Sequence, residues 1–177
     1  MLGRFKNPRL LAICAILAAI SFVIYARTLG HDFVEFDDQD YITQNNDVQK
    51  GLTWEGVYWA FVGAHACNWH PLTWISHMLD VELFGLRPGW HHLTNVLFHI
   101  ANSILLFLLL NRITKLLWPS AIAACLFGVH PLHVESVAWI SERKDLLSAF
   151  FFFATYSRLN SGGTTSSDDP LTINSRA

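Results

Sequence analysis

Residues 10 to 26 read Leu-Leu-Ala-Ile-Cys-Ala-Ile-Leu-Ala-Ala-Ile-Ser-Phe-Val-Ile-Tyr-Ala, seventeen positions without a charge. Their nine Leu, Ile, Phe and Val side chains favour insertion into a bilayer by about 0.3 to 0.6 kcal/mol each, and the run is long enough to span. Arg4, Lys6 and Arg9 precede it, as in a secretory signal. No A-x-A site stands before Arg27, however, and further apolar runs follow, so a retained anchor is expected. Just beyond come residues 31 to 45, His-Asp-Phe-Val-Glu-Phe-Asp-Asp-Gln-Asp-Tyr-Ile-Thr-Gln-Asn. A carboxylate costs roughly 2.5 to 3.5 kcal/mol at mid-membrane, so Asp32, Glu35, Asp37, Asp38 and Asp40 belong in water or a wet cavity at the surface. They form either a solvated acidic loop or part of a site.

Working outward, the whole chain has the composition of a polytopic membrane protein, 52% hydrophobic with only 15% charged over 177 residues. Between Gly30 and Trp90 nine acidic residues face only Lys50 and Arg87, whereas basic residues precede the first run and Arg112 and Lys115 follow the second. By the positive-inside rule the N-terminus and the 111 to 115 turn are cytoplasmic and the acidic loop lies outside, periplasmic if the membrane is a bacterial inner membrane. So acidic a segment excludes nucleic acid as a natural partner. Cys14, Cys67 and Cys125 form no C-x-x-C pair, and neither a disulfide nor a zinc site is expected from them.

The predicted fold class is an all-α membrane protein with about four transmembrane helices, at about 10–29, 92–111, 116–130 and 145–157. Interfacial helices are expected in the first outer loop. Thr53 is placed to cap a helix whose stripe Trp54, Val57, Tyr58 and Phe61 suits the interface. Pro71 opens a second, apolar at Leu72, Ile75, Leu79 and Leu83 and polar at Thr73, His77 and Asp80. In the second span His92, Asn95, His99 and Asn102 share one face, either bonding another helix or lining a polar cavity. The fourth apolar run ends before Ser157, where the polar stretch 157–177 begins and is expected to be disordered.

Three segments of the outer side carry residues capable of chemistry: Phe36-Asp37-Asp38, the run from Asn68 to Trp74, and His130 to Asp145. A site facing one compartment is built from such loops held by rigid helices. His130 and His133 lie one turn apart and suggest a metal, but the box spacings of histidine di-iron enzymes are missing. A histidine beside proline more often caps or orients its loop.

The ordered series Asn68-Trp69-His70-Pro71-Leu72-Thr73-Trp74, Leu83-Phe84-Gly85-Leu86, His91-His92-Leu93-Thr94-Asn95, His130-Pro131-Leu132-His133-Val134-Glu135-Ser136 and Glu142-Arg143-Lys144-Asp145 carries a resemblance. Residues 1 to about 156 resemble the N-terminal membrane region of bacterial tetratricopeptide-repeat proteins similar to the transmembrane and tetratricopeptide-repeat O-mannosyltransferases of the GT-C glycosyltransferase superfamily. The resemblance implies a GT-C-like membrane region over 1–156 and a transferase moving a sugar from a polyprenyl-phosphate carrier to an acceptor protein. It also implies a catalytic acidic pair in the first outer loop, where Asp37 and Asp38 stand. Such proteins continue with further spans and repeats; no 34-residue repeat is present here, so the chain reads as truncated and inactive alone.

Sugar transfer needs a base for the acceptor hydroxyl and positive charge for the leaving phosphate. Asp37 and Asp38 are the expected catalytic residues. His70, His130, His133, Glu135, Arg143, Lys144 and Asp145 are expected around the substrate, and a divalent cation, Mg or Mn, would sit on Asp38 and Asp145. The bilayer would hold the polyprenyl tail. The alternative is a non-catalytic membrane anchor or assembly module of a repeat protein.

Overall fold

The computed structural model describes residues 7–65 and 68–162, so Arg4, Lys6, Cys67 and residues 163–177 lie outside the described residues. Helix α1 (Pro8–Tyr25) starts on a proline pre-set for the first turn, with the Asn7 side chain accepting from Arg9 N–H at 3.0 Å. A 3₁₀ segment, Ala26–Gly30, extends it. The outer loop then winds through a π turn (Gln39–Thr43), α2 (Asn46–Gln49), α3 (Trp54–Val62) and α4 (Pro71–Phe84). Helix α5 (Pro88–Thr114) is the longest, and it packs against α1, α6 (Leu117–Val129) and α8 (Arg143–Gly162). Between α6 and α8 lie α7 (His133–Ala138) and a 3₁₀ turn, Ile140–Glu142. No strand occurs among the described residues.

Among the described residues two helical stretches are long and apolar enough to cross a membrane, Pro8–Gly30 and Pro88–Thr114, while the apolar Leu117–Val129 is shorter. Three clusters hold the bundle. Leu10, Ile13, Leu17, Phe107 and Ala124 close its lower part, and Tyr25, Val96, Val137 and Leu146 its middle. Tyr41, Ile42, Val48, Ala60, Trp74, Met78 and Ile140 form the core beneath the outer loop.

Both expected starts of the outer-loop helices are present: Thr53 Oγ1 accepts from Gly56 N–H at 3.0 Å, and Pro71 opens α4. The stripe Trp54, Tyr58 and Phe61 is exposed, as an interfacial helix requires, with Trp54 at 87%. Helix α4 turns its polar face inward: Thr73, His77 and Asp80 are buried beside Trp74 and Met78, whereas Leu72, Leu79 and Leu83 are exposed. Buried polar groups need partners, and Asp80 meets Thr94 and Arg143 in the interior.

The polar face of α5 serves packing, not an open cavity. His92, Asn95, His99 and Asn102 are all buried. Asn95 Nδ2 donates to the carbonyls of Val137 and Trp139, Asn102 Nδ2 to Leu146 O at 2.9 Å, and His99 Nε2 lies 3.0 Å from Gly128 O. Gly128 and Val137 lie in the last turns of α6 and α7 and Trp139 follows α7, where the helical ladder leaves carbonyls free, whereas Leu146 lies in the first turn of α8 and accepts through a second lone pair of its carbonyl. A correction concerns the polar stretch from Ser157, which continues α8 through Gly162. Arg112 Nη1 donates to Ser157 O at 3.3 Å and ties that turn to α5.

Gly89 lies where the first turn of α5 meets the 3₁₀ segment, and a Cβ there would come 2.5 Å from Leu29 O. A backbone oxygen cannot yield as a flexible side chain would. Gly89→Ala is therefore expected to destabilise by about 1 to 3 kcal/mol despite alanine's better helix propensity, read as a lower melting temperature in detergent.

Candidate functional site

Asp38 is fully buried, and its carboxylate joins two segments far apart in sequence. Oδ2 accepts from Val34 N–H at 3.0 Å and closes the first outer loop on itself. Oδ1 accepts from Ser141 N–H at 2.9 Å and fixes that loop to the turn before α8. Phe36 reinforces the junction with its ring 6.1 Å from that of Trp139. The acidic loop and the 136 to 145 segment therefore share one surface.

Around this junction the polar groups converge. Lys144 Nζ pairs with Glu142 at 2.7 Å and lies 5.9 Å from the centre of the Tyr41 ring. Tyr41 stacks obliquely on Trp74 at 4.5 Å, and its hydroxyl accepts from Asn68 Nδ2 at 3.0 Å. Burial pushes the Tyr41 hydroxyl above its ordinary value, with Lys144 pulling it down and Asp37 and Glu142 pushing it further up. His70, half-buried at the start of α4, is held below the usual histidine range by desolvation first and by Lys144 second, against Glu142 and Asp145. The imidazole is thereby kept neutral near pH 7 and can accept or donate a hydrogen bond. Asp145 is exposed and accepts from Ser136 Oγ at 3.1 Å. Asp37, Tyr41, His70, Glu142, Lys144 and Asp145 thus form one patch, partly shielded from water and bearing carboxylates, a cation and a neutral imidazole.

The other expected residues stand elsewhere. Arg143 is not at the surface: it is 0% exposed, with Nη1 2.7 Å from Asp80 Oδ2 and donating to Ser76 Oγ at 3.0 Å. Its Nη2 donates to His91 O at 2.9 Å and its Nε to Asn95 Oδ1 at 2.7 Å. A guanidinium so enclosed ties α4, α5 and α8 together and presents no donor to a phosphate outside. His130 Nδ1 accepts from Leu132 N–H at 3.3 Å, the capping role weighed for it from sequence. His133 packs on Phe127 at 4.4 Å between ring centres. Glu135 is exposed on α7, with no ion pair or side-chain hydrogen bond to the Asp38 loop among the described residues.

Sequence reading missed Tyr41 as a member of the patch. It also missed a group of His77, Asp80 and His91, whose candidate ligand atoms all lie within 4.8 Å of one another. The i, i+3 spacing of His77 and Asp80 on α4 was visible, but the approach of α5 that adds His91 was not.

The regular elements of the described residues are all helical, and two helical stretches have the length and apolar character of membrane spans, which points to a membrane-associated protein. The relatives it matches narrow that class. The chain is 32% identical over 152 residues to the protein O-mannosyl-transferase Tmtc2 of Drosophila melanogaster, covering 81% of this chain and 16% of the relative. It is 31% identical over 172 residues to human protein O-mannosyl-transferase TMTC1, covering 90% and 19%. With human protein O-mannosyl-transferase TMTC4 it shares 31% over 162 residues, covering 80% and 22%. The chain belongs to the transmembrane and tetratricopeptide-repeat O-mannosyltransferase-like family. It spans about a fifth of the length of these relatives. No family model and no solved structure matches it.

Proposed function

We propose that this region supplies the outer-face active site of a glycosyltransferase that moves a sugar, mannose by analogy with the relatives' names, from a polyprenyl-phosphate carrier to a protein hydroxyl. The observation that carries this reading is the 2.9 Å bond from Ser141 N–H to Asp38 Oδ1, which joins the acidic loop to the segment bearing Glu142, Lys144 and Asp145. Asp37, half-buried beside Tyr41, is the base that takes the acceptor proton. Lys144 faces the departing phosphate, and neutral His70 hydrogen-bonds to it. Asp38 acts on the geometry, since both its oxygens already accept backbone N–H groups.

A divalent cation, Mg or Mn, would add charge at the phosphate when bound. Asp145, exposed and with one oxygen on Ser136, fits that role; Asp38, enclosed and with both oxygens engaged, does not. In this reading the chain crosses the membrane four times, with its N-terminus cytoplasmic and residues 30 to 90 outside. A bacterial inner membrane is the compartment that the sequence resemblance implies. The burial of Asp38 favours a second reading, a non-catalytic anchor or assembly module.

The two readings part in a transfer assay on the longest polypeptide that carries this region, supplied with radiolabelled polyprenyl-phosphate mannose and an acceptor peptide rich in serine and threonine. Label on peptide hydroxyls is the expected result. Absence of label, from inserted protein and with every donor sugar tried, supports the anchor.

A further inference from the structure

We infer that His77, Asp80 and His91 form an internal site for one divalent transition-metal ion, of the class that zinc represents. The three residues offer two imidazole nitrogens and a carboxylate oxygen, the donor set that suits zinc in three-ligand sites and suits magnesium or calcium poorly. All three are buried, His77 and His91 completely. Neither ring nitrogen of His77 has a hydrogen-bond partner among the described residues, so a buried imidazole is aimed into the group with nothing to satisfy it. Such orphaned polar atoms are costly and rare in a folded interior.

The surrounding bonds prepare the other two ligands. His91 Nε2 lies 3.0 Å from Gly85 O, which fixes the tautomer with the proton on that nitrogen. Its Nδ1 is then an acceptor, has no hydrogen-bond partner, and lies 3.5 Å from Asp80 Oδ2. Asp80 Oδ1 accepts from Thr94 Oγ1 at 2.9 Å, an outer partner of the kind that orients metal-binding carboxylates. Ligand atoms within 4.8 Å need to draw in by about 1 Å to meet the tetrahedral spacing that bonds of about 2.0 to 2.2 Å demand.

Arg143 is the cation already present beside the group: its Nη1 lies 2.7 Å from Asp80 Oδ2, so a bound ion would share that carboxylate with it. The ion would join α4 to the start of α5 beside the Arg143 hub, beneath the outer patch and separate from the carboxylate of Asp145. Its role there is structural, and it does not depend on the transfer reaction.

Cobalt, as the coloured stand-in for zinc, tests this on the full chain stripped of metal by a chelator. One equivalent is expected to bind saturably with visible absorption, and zinc is expected to displace it. His77→Ala and His91→Ala should weaken binding by more than about tenfold, and Thr94→Val by about 10- to 100-fold although it touches no metal. The His130→Ala, His133→Ala double variant should leave binding unchanged. Where a histidine variant does not fold, X-ray absorption on the zinc-loaded wild type reads the same shell, with two imidazole nitrogens and at least one oxygen expected. No saturable equivalent in wild type, binding unchanged in folded His77→Ala, loss in the His130, His133 variant, or a thiolate-containing or all-oxygen shell would each overturn the assignment.

Discussion

Arg143→Met is expected to remove a large share of the protein's stability. The guanidinium is wholly enclosed and holds Asp80, Ser76, His91 and Asn95 at once. Taking it away leaves the buried Asp80 carboxylate without its countercharge, a change that costs about 3 to 5 kcal/mol, against a total stability of about 5 to 15 kcal/mol for a typical domain. Arg143→Lys retains the charge but not the planar fork, so Asn95 Oδ1 and His91 O cannot both keep a donor, and an intermediate loss is expected. Thermal melting in detergent orders the variants wild type, Lys, Met. Pairing Arg143→Met with Asp80→Asn should recover part of the loss, because the second change removes the stranded charge. A melting temperature for Arg143→Met within a degree or two of wild type would mean that the ion pair is not formed as described.

Asp37 and Asp38 adjoin in sequence, yet their substitution should fail in different ways. Asp37→Asn keeps a similar volume, and Asp37 is only half-buried, so the protein should insert and melt as wild type does. Loss of a general base is expected to lower transfer by about 10²- to 10⁴-fold. Asp38→Asn leaves one acceptor oxygen where two backbone N–H groups now bind, one from Val34 and one from Ser141. It should therefore lower both melting temperature and transfer, by at least about 1 kcal/mol of stability. If Asp37→Asn retained wild-type transfer while Asp38→Asn abolished it without loss of stability, the roles given to the two residues would be reversed.

These expectations differ from a sequence reading because of what a sequence can carry. Apolar runs are local signals, so the helices at Leu10 and Leu93 and the starts at Thr53 and Pro71 were legible. The facing of α4 was not: which of its two faces packs inward depends on what Thr73, His77 and Asp80 meet in the interior. Arg143 stood in a charged run, Glu142-Arg143-Lys144-Asp145, that looks uniformly solvated. Only the approach of α4 and α5 separates it from Lys144, which stays with Glu142. The proximity of the acidic loop to the 136 to 145 segment rests on long-range contacts, the bond from Ser141 N–H to Asp38 and the Phe36–Trp139 ring pair, which no local pattern carries. That Asp38 makes the bond and Asp37 stays free of it depends on backbone geometry between Val34 and Ser141, which residue types do not encode.

The claim that these two segments build one outer site is tested most directly by crosslinking between positions 36 and 139, whose aromatic rings lie 6.1 Å apart. Phe36→Cys and Trp139→Cys are introduced in a background lacking Cys14, Cys67 and Cys125, and a short membrane-impermeant thiol reagent is added from the outer side. Rapid crosslinking is predicted, with none for a control pair at 36 and 115. Inserted, folded protein that fails to crosslink at 36 and 139, or does so only after the membrane is permeabilised, would contradict the account.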